Sequence, residues 1–211
     1  MKYLGKPFWM WFLFKRSFRN ALHEILYIDK DVARSITKKA KGDYKRTIKK
    51  LPEFEEGDPW KKNLVSAAMF ASFYLNMPSK PSLDSLSAFY ALSMSTFLAR
   101  RYYKHQGKKK FDEKTIGRLR LHAKQNYADR NPYSWNFKLR MMKDNAGYTC
   151  TFTKCGICRL FNELGCPEIV TAMCRFDYAL AKLEGTSTFS RETTLASGGP
   201  YCDCHYKKKL D

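Results

Sequence analysis

The densest concentration of reactive side chains lies near the C-terminus, in the stretch Arg191 to His205, RETTLASGGPYCDCH. It reads as a strand, a turn at Gly198-Gly199-Pro200, and a second strand opening on Cys202, Asp203, Cys204 and His205. An ionised thiol is a nucleophile or a metal ligand, and a carboxylate or imidazole can move protons. Glycines in the turn let other groups approach the backbone closely. The two-residue period of a strand puts Cys202 and Cys204 on one face and turns His205 to the other. Arg191 shares its strand face with Phe189, Thr193 and Leu195. A guanidinium on such a face either grips a carboxylate ligand in fork geometry or pairs with an acid of the same chain, Asp177 being one choice.

A second group arrives from the helix predicted from Pro167 to near Leu183, with Gly185 after it. Its core stripe is Ile169, Met173, Phe176, Leu180 and Leu183, flanked by the row Val170, Cys174, Asp177 and Ala181. Cys174 and Asp177, three apart, share a face. A carboxylate in an apolar row requires water, an arginine or a chemical role to offset its desolvation. The cysteines also admit a metal reading. Cys155-Gly-Ile-Cys158 together with Cys202 and Cys204 would supply four thiolates to a zinc ion, although His205 cannot join them from the opposite strand face. A redox role for the C-x-x-C lacks the βαβ pattern that usually surrounds it.

The elements that must hold these residues are read from periodicity. Phe8, Trp11, Phe12, Phe18, Leu22, Ile25 and Leu26 recur at helical spacing. A second helix, capped by Asp31 and interrupted near Gly42, runs towards Leu51. Glu53 to Pro59 is a polar connector whose Asp58-Pro59 starts a third, largely apolar helix reaching Asn76. A fourth spans Ser82 to about Tyr103 and forms a hairpin with the third. A basic loop at Lys108–Lys110, read as solvated, precedes a helix from Asp112 to about Ala128. The period then changes to two: Tyr133, Trp135, Phe137, Leu139 and Met141 alternate with polar residues as in a half-buried strand. Lys143 to Gly147 has hairpin-turn composition, and Tyr148 to Thr153 is the return strand. A short helix from Gly156 to Leu164, the Pro167 helix, and strands over Thr186–Ala196 and Tyr201–Lys207 complete the chain. The expected architecture is α+β: an N-terminal helical bundle packed on a C-terminal four-stranded antiparallel sheet with two inserted helices. It is expected as a single domain with a basic helical region over 1–58, a helical core over 59–130 and a cysteine-rich α+β part over 131–211.

Composition bounds the partners. Of 211 residues, 44% are hydrophobic and 15% aromatic, which excludes a disordered chain. The net charge of +19 is uneven: the first fifty residues carry 14 Lys/Arg against 4 Asp/Glu, whereas residues 151–211 carry 8 against 7. Such charge suits a carboxylated small molecule, nucleic acid or an anionic membrane surface, and equally plain solubility. A homo-oligomer is compatible with the apolar first helix. Seven cysteines, an odd number at irregular spacing, point to reduced thiols in a cytoplasm. The apolar run from Pro7 to Phe14 is too short to span a bilayer and lacks the cleavage pattern of a signal peptide.

The segment Phe189-Ser-Arg191-Glu-Thr-Thr-Leu-Ala-Ser-Gly198-Gly199-Pro-Tyr-Cys202-Asp203 resembles the C-terminal signature of the L-2-amino-thiazoline-4-carboxylic acid hydrolase family, F-x-R-x-x-T-L-A-x-G-G-x-x-C-D-F. Cys174-Arg-Phe-Asp177, following Gly165-Cys-Pro167-Glu168, matches its upstream element, and the helical hairpin from Asn63 to Arg101 matches more loosely. Cys204 stands where the pattern has an aromatic residue, and Cys150, Cys155 and Cys166 are additions. The resemblance implies hydrolytic opening of a cyclic isothiourea to a carbamoyl-cysteine, on a small substrate bearing a carboxylate and without a cofactor. In that chemistry Cys202 would add to the ring carbon, with Cys174 beside it, and Asp177 or Asp203 would shuttle protons. Arg191, with Thr193, would hold the substrate carboxylate, and N–H groups of Gly198 and Gly199 would stabilise developing charge. The other class of function is a non-catalytic one: a basic binding module with the zinc-thiolate cluster, or a small-molecule binder on the same fold.

Overall fold

A computed structural model of the chain describes residues 8–52, 60–128 and 131–209. The expected connector and cap at Glu53–Pro59 lie outside these residues. Two compact units emerge, neither continuous in sequence: residues 1–96 with 157–173, and residues 97–156 with 174–211.

The first unit is helical. Helix α1 (Phe8–Glu24) buries Trp11, Phe14, Phe18, Ala21 and Leu22, while Phe12, expected on the core stripe, is exposed. Helix α2 (Lys30–Lys50) is capped two residues earlier than expected: the Asp29 side chain, not that of Asp31, accepts the N–H groups of Asp31 and Val32. It passes through Gly42 without interruption, burying Ala33, Ile36, Ala40, Tyr44 and Ile48 as one stripe. Helix α3 (Lys61–Tyr74) is buried on every side from Leu64 onward, as its continuous apolar sequence requires. Helix α4 (Leu83–Met94) begins with a Ser82 side-chain cap and meets α3 through Phe70, Phe89 and Tyr90. The helix α7 (Gly156–Glu163) contributes Phe161, fully buried against Phe70.

The expected fourth helix is in fact two. It stops at Met94, and α5 (Phe97–Lys108) begins the second unit with only Ala99 and Gly107 buried. Near the stop the Ser93 and Ser95 hydroxyls bond back to the carbonyls of Phe89 and Ala91. Helix α6 (Glu113–Ala128) follows.

Strands β1 (Asn136–Met141), β2 (Gly147–Lys154), β3 (Ser187–Ser190) and β4 (Cys202–Lys208) form one antiparallel sheet in the order β1-β2-β4-β3. The turn between β1 and β2 is a single 3-10 turn, with Asp144 and Asn145 at φ 52°. The architecture is therefore α+β, with helices preceding a four-stranded antiparallel sheet.

The insertion between β2 and β3 differs from expectation. The single helix from Pro167 is a 3-10 turn (Pro167–Ile169), then α8 (Val170–Cys174), then α9 (Phe176–Glu184) after a break at Arg175. The predicted strand from Thr186 to Ala196 ends at Ser190, and a 3-10 turn occupies Leu195–Ser197.

Candidate functional site

Strand β4 sorts the C-terminal cluster by alternation. Cys202, Cys204 and Tyr206 lie on one face, where Phe152, Cys150 and Tyr148 of β2 stand directly opposite them. Asp203 and His205 lie on the other, opposite Thr151 and Thr149. Cys202 and Cys204 are buried, and none of the seven cysteines is in a disulfide.

Arg191, just past β3, reaches the thiol face with a side chain only 5% exposed. Its Nη1 donates to Asp177 Oδ2 at 3.0 Å and lies 3.9 Å from Cys204 Sγ, and its Nη2 donates to the Cys174 carbonyl at 3.0 Å. That carbonyl is available because of the helix break. The Tyr178 N–H, which would bond it in a continuous helix, donates to the Arg175 carbonyl instead. The Phe189 and Tyr178 rings flank the guanidinium with centroids at 5.3 and 5.9 Å. The sequence left Arg191 between a ligand and Asp177, and its partner here is Asp177.

The electrostatics of this face favour neutral thiols. Desolvation lifts Asp177 above the ordinary carboxylate range, opposed by the Arg191 guanidinium, although 35% of the side chain remains accessible. Burial pushes Cys174 well above the usual thiol value and Cys204 up to about 12. Cys202 is raised less: burial lifts it, while a hydrogen bond from the Leu195 N–H to its Sγ at 3.2 Å and the Arg191 charge act in the opposite direction. Cys174, Asp177, Arg191 and Cys202 stand close enough that each affects another's titration. Arg191 thus ties Asp177 and Cys174 together by hydrogen bonds, and Cys202 lies on the same strand face as Cys204, which Arg191 also contacts.

Other expected members point elsewhere. Asp203 faces away from Cys202 and accepts the N–H groups of Thr193 at 2.6 Å and Glu192 at 3.2 Å, with His205 Nε2 at 3.0 Å. Partial burial raises this carboxyl, but those donors outweigh it and hold Asp203 below its usual value. The same bonds explain why β3 stops early, since the Asp203 carboxylate captures the N–H groups of Glu192 and Thr193, although the Thr193 carbonyl still accepts from the Asp203 N–H at 3.4 Å. The Gly198 and Gly199 N–H groups donate to the carbonyls of Leu195 and Thr194, so neither is directed at a ligand. The two glycines have backbone tasks instead. Gly198 has φ 84°, and a Cβ on Gly199 would overlap the Thr193 methyl and stand 2.9 Å from the Thr194 carbonyl oxygen. The outcome is a tight turn that presents the Leu195 N–H to Cys202. No signal in the sequence marks a leucine amide for that task.

Among the described residues, no three His, Cys, Asp or Glu side chains are grouped to hold a metal ion. Cys155 stands near enough to Cys202 to raise its thiol, but the two form no such group with Cys158 and Cys204. Lys110, expected in a solvated loop, is buried with its ammonium paired to Glu184 and over the Tyr206 ring at 4.1 Å. Its partner is distant in sequence, so local composition could not reveal it.

A protein-family model described as L-2-amino-thiazoline-4-carboxylic acid hydrolase matches residues 62–206. The chain belongs to that family. The matched span contains Cys174, Asp177, Arg191 and the whole turn to Cys202, so the thiol face is a feature of the hydrolase-family region and not of the basic N-terminal helices. No curated protein and no solved structure matches the chain. Among the described residues no helix is long and apolar enough to cross a membrane.

Proposed function

We propose that the chain is a cysteine-dependent hydrolase that opens a small cyclic amidine or isothiourea, such as a 2-amino-thiazoline-4-carboxylate, to a carbamoyl-cysteine. The observation that carries this reading is Cys202, held by the Leu195 N–H on the same face as the Asp177–Arg191 pair. Its thiol is protonated at neutral pH because burial raises it, so attack must be coupled to proton removal. Asp177, lifted by desolvation, is the carboxylate with increased basicity and serves as the base.

In this scheme Cys202 Sγ forms a bond to the amidine carbon while its proton passes to Asp177. The ring carbon–nitrogen bond breaks as Asp177 returns the proton to the departing nitrogen. A water, deprotonated by Asp177, then adds to the same carbon. Expulsion of the Cys202 sulfur, which takes back a proton, releases the carbamoyl-cysteine, so one water is consumed and the enzyme is restored. Arg191 acts as a positioning residue, since its two terminal nitrogens already engage Asp177 and Cys174. Cys202 is 8% exposed, so substrate entry requires movement of the residues that cover it.

Replacing Cys202 by Ala is expected to lower turnover of 2-amino-thiazoline-4-carboxylate on the order of a thousandfold or more with the melting temperature retained. Undiminished turnover in a folded Cys202→Ala protein would end the assignment. The nearly closed, protonated thiols favour one second reading, a non-catalytic binder on the same fold. In that case the parent protein binds the thiazoline in calorimetry and never turns it over.

A further inference from the structure

The strongest unexplained surface lies on α1 and α2, which precede the residues matched by the hydrolase-family model. Trp9, Phe12, Leu13 and Arg16 occupy positions i, i+3, i+4 and i+7 of α1 and so form one line along the helix. That line faces outward: Trp9 is 59%, Phe12 65% and Leu13 48% exposed, whereas Trp11, Phe14 and Phe18 fill the opposite, buried side. Beside it runs a groove of about 380 Å³ between the two helices, floored by Trp11 and lined by Lys15, Arg16, Arg19, Arg34, Lys38 and Lys41. Among the described residues lining this groove there is no carboxylate. Six cations line it, one of them, Arg34, paired with Asp31 at 2.5 Å, and Lys15 extends over the exposed Phe12 ring at 5.1 Å.

We propose that this face docks on an anionic phospholipid surface, with α1 lying in the plane of the interface. Trp9, Phe12 and Leu13 enter the boundary between headgroups and acyl chains, while the groove cations meet lipid phosphates and carboxylates. Charge complementarity selects an anionic partner, and the apolar line distinguishes a membrane from nucleic acid. Base stacking would use the two rings but would leave Leu13 without a role, whereas a bilayer accommodates all three side chains. A second copy of the chain is disfavoured because apposed grooves of the same charge repel.

The full-length protein is mixed with phosphatidylcholine vesicles, with and without phosphatidylserine, at low and high salt, and sedimented. Binding is expected only with phosphatidylserine and is expected to fall as salt rises. Lipids brominated in their acyl chains should quench tryptophan fluorescence of the parent protein, and Trp9→Ser should remove most of that quenching. Substituting Lys38 and Lys41 by Gln should weaken binding at least about tenfold, since each cation near such a surface contributes about a fivefold factor. Equal binding to neutral vesicles, or no quenching by brominated lipid, overturns the proposal. So does binding to oligothymidylate without binding to phosphatidylserine vesicles, or a dimer in light scattering that Trp9→Ser with Phe12→Ser dissociates while vesicles remain unbound.

Discussion

Around Asp203 the protein aims two backbone N–H groups and the His205 ring at a carboxylate, and Thr149 Oγ1 lies 2.9 Å from the far nitrogen of that ring. Around Asp177 it supplies one guanidinium and a desolvated setting. The first arrangement favours the ionised form and the second resists it, so two aspartates that both looked like proton carriers acquire opposite characters. A carboxylate satisfied by backbone amides is a fastener, because moving its proton would release the turn it holds. A carboxylate whose charge is opposed by its surroundings is better suited to accept a proton. Asp203 thereby fastens the turn, and the proposed mechanism gives the proton transfer to Asp177.

The largest expected effect tests that assignment directly. Asp177→Asn should lower kcat on the thiazoline substrate by about a hundredfold or more, the usual scale for a general base, whereas folded Asp203→Asn should stay within a few-fold of the parent. The reverse ranking in a steady-state assay would break the comparison. Next in size, Arg191→Met removes the partner of Asp177 and the donor to the Cys174 carbonyl. The accessible third of Asp177 limits the penalty, so a loss of about 2 kcal/mol is expected in urea unfolding.

The two acids should also leave opposite marks on stability against pH. Asp203 has a lowered folded value, so its contribution is complete above the unfolded carboxylate value of about 3.9 and disappears as pH falls through the folded value. Asp177 has a raised folded value, so its contribution is complete below about 3.9 and is lost as pH rises through the folded value. Urea midpoints measured across acid pH should accordingly show a shallower low-pH decline in Asp203→Asn, since Asp29 and Glu168 also have lowered values, while Asp177→Asn should remove a component of opposite slope above it. The smallest effect is reserved for Thr149→Val. Losing one hydroxyl from the His205 contact should cost about 1 kcal/mol in the same unfolding measurement, with kcat unchanged.

Much of this arrangement was legible from spacing. Alternation from Phe137 to Met141 and the Asp144-Asn145 turn located the first hairpin, and the C-x-C period turned His205 away from Cys202. The Asp177–Arg191 pair was one of the alternatives that an acid and an arginine on apolar faces imply. What could not be read was set by contacts distant in sequence. Thr193 to Leu195 alternate like a strand, but a carboxylate about ten residues onward captures the amides of Glu192 and Thr193. The break at Arg175 is equally hidden, since no proline or glycine marks it and the freed Cys174 carbonyl finds its donor only in Arg191. Asp203 shows a simpler effect: adjacency to Cys202 in sequence places it on the opposite face of the strand.

The interleaving of the two units bears on how the chain is born. Residues 1–96 leave the ribosome first, yet their unit also needs residues 157–173, among them Phe161, which seals against Phe70. In vectorial synthesis the early helices must wait for some sixty intervening residues, all belonging to the other unit, before that seal forms. The same threading means that cutting the gene after residue 96 should yield an aggregation-prone fragment, because the closing piece of the first unit is encoded inside the second.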